Sequence, residues 1–97
     1  MGAEVFITRA RGKTAQEAFQ AAYIAACEEY GNGGYTGTIA EKDCFVMIRA
    51  VPVNVKPEVY AQELIDNRDP RINDKWGPAG CIDVGNGEYV FFGWASS

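Results

Sequence analysis

The fold turns on the stretch Gly80-Cys81-Ile82-Asp83-Val84, Gly85-Asn86-Gly87, Glu88-Tyr89-Val90-Phe91-Phe92-Gly93-Trp94-Ala95. Two β-rich runs flank a Gly-Asn-Gly triplet, the composition of a tight hairpin turn. In the second run Tyr89, Phe91 and Gly93 alternate with Val90, Phe92 and Trp94. Successive strand residues point to opposite faces, so this strand is apolar on both. A sheet covered by helices on one face alone should show a polar second face. The pattern therefore demands a second cover, supplied either by a loop or by another chain.

Working back from this hairpin, Glu4 to Arg11 reads as a strand, with Val5, Ile7 and Arg9 on one face and Phe6, Thr8 and Ala10 on the other. Thr14-Ala15-Gln16-Glu17 is a capping box that opens a helix running to Tyr30 and stopping at Gly31. Ala15, Phe19, Ala22, Tyr23, Ala26 and Tyr30 share one face of that helix. Glu17, Gln20 and Glu28 mark the wet face, and Ile24 sits among them without a folding reason. Tyr35 to Ala40 reads as a strand, Glu41-Lys42-Asp43 as a polar hairpin turn, and Cys44 to Ala50 as the returning strand. Pro57 opens a second helix at its first position, with Tyr60, Ala61, Leu64 and Ile65 on one face and an end near Asn67. The order is β-α-β-β-α-β-β. This predicts one α+β domain over residues 1–97: an antiparallel sheet of about five strands with two helices on one face, a ferredoxin-like order plus an extra hairpin strand.

The 97 residues carry nine Lys and Arg against thirteen Asp and Glu, a net charge of −4. An acidic chain lacks the basic surface from which affinity for nucleic-acid backbones or anionic membranes comes. Aromatics on a ferredoxin-like sheet suggest RNA-recognition modules, but the basic aromatic motif is missing. No apolar run approaches the roughly 20 residues of a membrane span, and Glu4 interrupts any secretory leader. There is no histidine, which removes Ser-His-Asp and Cys-His catalysis and imidazole metal sites. Cys27, Cys44 and Cys81 form no C-x-x-C pair and sit in apolar contexts. They read as three buried small hydrophobes in a reducing, cytoplasmic setting. No carboxylate pair has a spacing that demands acid–base chemistry. Asp66, Asp69 and Asp74 could meet a metal but lack EF-hand spacing. No cofactor or catalytic residue is expected.

Candidate binding residues lie in two places. Asn67 to Ala79 has no periodicity and is long for a connection in a compact domain. Its Arg71, Asn73, Asp74, Lys75 and Trp76 group charge and amide chemistry around one aromatic, as in a recognition loop; the structural alternative is an Ω-loop packed by Trp76 and Ile72. Pro70 and Pro78 argue for an ordered loop with Trp76 substantially buried. The second place is the glycine loop and its following strand, Gly33, Gly34, Tyr35 and Thr36. That loop follows a helix, where the dipole is negative, so a phosphate cradle is disfavoured and a C-cap preferred. Ile24, Tyr89, Phe91 and Trp94 are the candidate oligomer interface: the open sheet face of one chain would meet that of a second, giving a dimer. A loop 67–80 folded over Trp94 is the competing account.

Tyr30-Gly31-Asn32-Gly33-Gly34-Tyr35-Thr36-Gly37-Thr38-Ile39-Ala40-Glu41-Lys42, Asp74-Lys75-Trp76-Gly77-Pro78-Ala79-Gly80-Cys81 and Phe91-Phe92-Gly93-Trp94-Ala95-Ser96-Ser97, together with the Thr14–Glu28 helix, resemble a family of small bacteriophage, prophage and bacterial proteins of unassigned chemistry. The resembling pattern often has His where this chain has Asn32, which removes any histidine role here. The resemblance implies a small accessory protein that acts by binding, such as an inhibitor of a host anti-phage defence component in the host cytoplasm. The alternatives are a protein that sequesters a small nucleotide-like ligand, using Trp76, Arg71, Lys75 and the glycine loop, and a small enzyme.

Overall fold

The computed structural model describes residues 2–30, 38–49 and 51–96. Strand β1 spans Ala3–Arg11, helix α1 Ala15–Tyr30, strand β2 Phe45–Met47, helix α2 Pro57–Asp66, strand β3 Ala79–Gly85 and strand β4 Glu88–Ser96. The class is α+β, as expected, with four strands among the described residues where about five were expected. The missing strand is the one expected over Tyr35–Ala40: Ile39–Glu41 is a 3-10 turn instead, and residues 35–37 lie outside the described residues. Among the described residues the ferredoxin-like order is not formed, and the sheet expected to be antiparallel is mixed, because β2 lies parallel to β3. The sheet runs β1-β4-β3-β2, with β1 and β3 antiparallel to β4 and β2 parallel to β3.

The aromatic pattern of β4 has a simple cause: the helices cover opposite faces, not one. Phe6, Cys81, Tyr89 and Phe91 pack with Ala18, Phe19, Ala22 and Ala26 of α1. Val90, Phe92 and Ile82 pack with Ala61, Leu64 and Ile65 of α2. β4 is the inner layer of a three-layer domain, and an inner strand must be apolar on both sides. Phe91 is 0% exposed within the single chain, and Tyr89 is buried. Neither can form the dimer seam expected from an open sheet face, because α1 covers the face they lie on and α2 covers the other. Trp94 is half-buried against the α2 side, and its Nε1 has no hydrogen-bond partner among the described residues.

Local chemistry sets the element ends. The Glu17 amide donates to Thr14 Oγ1 at 3.2 Å, satisfying one of the orphan donors of α1. Helix α2 starts at Pro57 and ends in a Schellman arrangement. The Asp69 amide donates to the Leu64 carbonyl at 3.0 Å, and the Arg68 amide to that of Ile65 at 3.1 Å. Arg68 holds the left-handed position, φ 54°, that glycine usually occupies. The β3–β4 turn has positive φ at both Asn86 and Gly87, the signature of a type I′ hairpin. Gly80 faces Phe92 across β3 and β4. A Cβ at Gly80 would fall 2.4 Å from the Phe92 ring, so the ring occupies the space a side chain would need.

Arg9 ties the elements together at one end of the sheet. It donates through Nε and Nη2 to Glu58 of α2, both at 2.9 Å, and through Nη1 to Glu88 at 2.6 Å. Arg11 donates to the other Glu88 oxygen at 2.6 Å. The two guanidinium groups hold the Glu88 carboxyl below its ordinary range.

Candidate functional site

The segment after α2 is ordered by three devices. Ile72 is buried in the cluster beneath α2 and anchors the middle of the loop. Asp69 accepts from the Arg71 amide at 2.9 Å and from its guanidinium at 2.9 and 2.7 Å. That pairing holds the Asp69 carboxyl below the usual range and keeps the Arg71 guanidinium folded back on the Asp69 carboxylate. The third device is a residue whose role the sequence does not announce. Lys42 is 1% exposed, and its Nζ donates to the carbonyls of Asp74 and Lys75, both at 3.2 Å, and of Gly77 at 2.9 Å.

The chain reaches Lys42 through the 3-10 turn. Thr38 caps that turn, accepting from the Ala40 amide at 3.2 Å. Ile39 inserts into the core beside α1, and the Lys42 amide closes the turn on the Ile39 carbonyl at 3.0 Å. Burial pushes the Lys42 pKa down, and the charge of Asp74 opposes that shift. Three backbone carbonyls around one ammonium meet its full donor capacity.

Held from beneath by Lys42, Asp74 to Gly77 forms a compact turn. The Gly77 amide donates to the Asp74 carbonyl at 2.9 Å, and the Trp76 amide to Asp74 Oδ1 at 2.9 Å. Lys75 Nζ reaches the Gly2 carbonyl at 3.2 Å and lies 5.4 Å from the centroid of the Trp76 ring, within cation–π range. The loop is ordered as expected, but Trp76 is not buried: it is 64% exposed. The expectation that Trp76 packs the loop is corrected, because Ile72 and Lys42 do that work and release the indole to the surface.

Of the candidate residues, the structure brings Asp74, Lys75 and Trp76 together. It places Asn73 beside them on the exposed surface and engages Arg71 with Asp69. Gly33, Gly34, Tyr35 and Thr36 lie outside the described residues. Ile24 is 54% exposed on the outer face of α1, as the helical wheel indicates. Of the cysteines, Cys81 is buried, Cys27 half-buried and Cys44 exposed, so the expectation of three buried thiols holds at Cys81, is met in part at Cys27 and fails at Cys44, which precedes the edge strand β2. Burial pushes the Cys81 thiol up to about 12. Among the described residues, no cluster of three or more acids and thiols could hold a metal ion, and no helix is long and apolar enough to cross a membrane.

The fold and the turn define a small three-layer α+β domain that presents one tryptophan on a rigid support. Comparisons with protein families, curated proteins and solved structures find no match for this chain.

Proposed function

We propose that the protein is a non-enzymatic binding module whose Asp74–Gly77 turn recognises another protein, with Trp76 as the anchor. The observation that carries this reading is an indole 64% exposed on a turn whose carbonyls are fastened by a buried lysine. An aromatic left this exposed forgoes most of the burial energy that its size offers the chain. Tryptophan is the residue most enriched where interface energy concentrates. A turn already fixed in shape loses little conformational freedom on binding. Lys75 beside the ring adds a charge that orients a partner. The resemblance to small phage and prophage proteins supports a host component, such as part of an anti-phage defence system, as that partner.

The test compares affinity capture from bacterial lysate, read by mass spectrometry, between the wild type and Trp76→Ala. The reading expects a protein held by the wild type, lost with Trp76→Ala, and retained by a control change at exposed Val53. Equal capture by both proteins overturns it. Thermal stabilisation by nucleotides, removed by Trp76→Ala, would replace it with the ligand-sequestering alternative.

A further inference from the structure

The two edges of the sheet differ. β2 has three residues, too short to template another strand. β1 has nine, and its register with β4 is unbroken from Ala3↔Ser96 to Arg11↔Glu88. It contains no proline and no bulge, the usual devices that blunt an edge, and Val5 to Thr8 carries no charge. Among the described residues, no strand pairs with its outer side. Beside it an open groove of about 770 Å³ separates β1 from α1, lined on the helix side by Ala21 and Ala25 among others.

We propose that β1 pairs antiparallel with β1 of a second copy, joining two four-stranded sheets into one across a twofold axis. The outer backbone of β1, unpaired among the described residues, calls for a strand as occupant. Charge selects an antiparallel copy. Helix α1 runs back along β1, so Glu4 and Glu29 line one end of the groove and Arg9 and Arg11 the other. Glu88 engages one guanidinium nitrogen of Arg11, whose side chain stays 78% exposed. A parallel arrangement would set acidic end on acidic end. The twofold sets each acidic end beside the other copy's arginines.

A twofold through Ile7 keeps each face of the sheet on its own side. It opposes Ile7 to Ile7 of the second copy, Phe6 to Thr8, and Val5 to the stem of Arg9. Val5 is 39% exposed in the single chain. The same operation sets α1 beside α1 of the second copy. There the alanines allow close approach, and Ile24, about 60° round the helix from Ala21, gains a neighbour. A homodimer was expected from the open-face pattern; the geometry moves its seam from the middle of the sheet to its edge.

The test is light scattering over about 1–300 micromolar, since dimerisation follows mass action, combined with amide exchange of β1. The proposal expects a mass approaching twice 10.6 kDa and exchange protection of the outward β1 amides that grows with concentration. Val5→Lys, which faces Arg9 of the second copy, should weaken association about tenfold or more and remove that protection, while Trp76→Ala leaves the mass unchanged. A wild-type mass of 10.6 kDa at the highest concentration overturns the proposal. So does a dimer whose outward β1 amides exchange freely. The exchange data on the wild type decide the matter even if Val5→Lys folds poorly. A dimer lost with Trp76→Ala instead would place the seam at the recognition turn and also overturn it.

Discussion

Replacing Lys42 by methionine isolates the support beneath the recognition turn. Methionine keeps the length of the chain and removes the ammonium. The Asp74 carbonyl retains the Gly77 amide as a donor, but the carbonyls of Lys75 and Gly77 lose the lysine donor. A buried acceptor left without its partner costs about 1–3 kcal/mol, so two cost about 2–6. Against this stands the relief of no longer burying a charge, which makes hydrophobic replacement of some buried ions neutral or favourable. The acceptors decide the sign here, because they are backbone and remain after the mutation. A net loss of about 2–4 kcal/mol follows. For a domain of this size it lowers the melting temperature by about 10–25 °C. Urea unfolding followed by circular dichroism measures the stability, and fluorescence of the native variant reports whether Trp76 has changed its surroundings. A loss below about 0.5 kcal/mol would refute the reasoning, since that is the range of ordinary surface changes.

Four further outcomes are expected. Trp76→Ala should cost less than about 1 kcal/mol in thermal unfolding, well below the 3–5 of a core tryptophan. Gly80→Val should unfold the domain or reduce its stability by about 3 kcal/mol or more, because the Phe92 ring fills the space and backbone strands fix both residues; a loss under about 1 kcal/mol by urea titration would contradict this. Arg68→Gly should raise stability by about 0.5–1 kcal/mol, since glycine adopts the left-handed position without the Cβ penalty. The Cys81 thiol titrates near 9.0 in the unfolded chain and near about 12 in the folded one. Between those values the folded state holds the extra proton, so stability is full below pH 9 and falls as pH rises toward 12. Cys81→Ala should flatten that alkaline slope, and a thiol reagent on the native protein should modify Cys44 first and Cys81 only after unfolding.

The sequence showed both helices because their signals are local. Thr14 and Glu17 mark one start and Pro57 the other, and the buried residues recur at helical spacing. The β3–β4 hairpin was equally plain in Gly85-Asn86-Gly87. What local pattern could not tell is which face each helix covers. The aromatics on both sides of β4 pointed to a second cover, and α2 provides it, but a helix, a loop and a second chain all meet that demand. Ile39 reads as a strand residue by composition; burial beside α1 draws it into a 3-10 turn instead. Lys42 reads as a turn residue because nothing in Glu41-Lys42-Asp43 reports that three carbonyls 32 to 35 positions later need a donor. Trp76 carried the opposite error, since size and neighbouring prolines suggest burial when Ile72 already fills the place beneath the loop.

β4 lies at the middle of the sheet, between β1 and β3, yet it is the last of the four strands in the chain. During synthesis β1 and α1 emerge before β4, and β1 waits for a partner 77 to 93 positions on, Arg11 for Glu88 and Ala3 for Ser96. Neither layer can close until β4 clears the ribosome. Until then α1 has its own helical hydrogen bonds and the parallel pair β2–β3 joins residues only 34 positions apart, Phe45 to Ala79, but neither has β4 to pack on. Closing so long a loop makes folding slow relative to helical domains of the same length. It also leaves the apolar faces of both helices exposed together until closure, the period in which such a chain is most prone to aggregate.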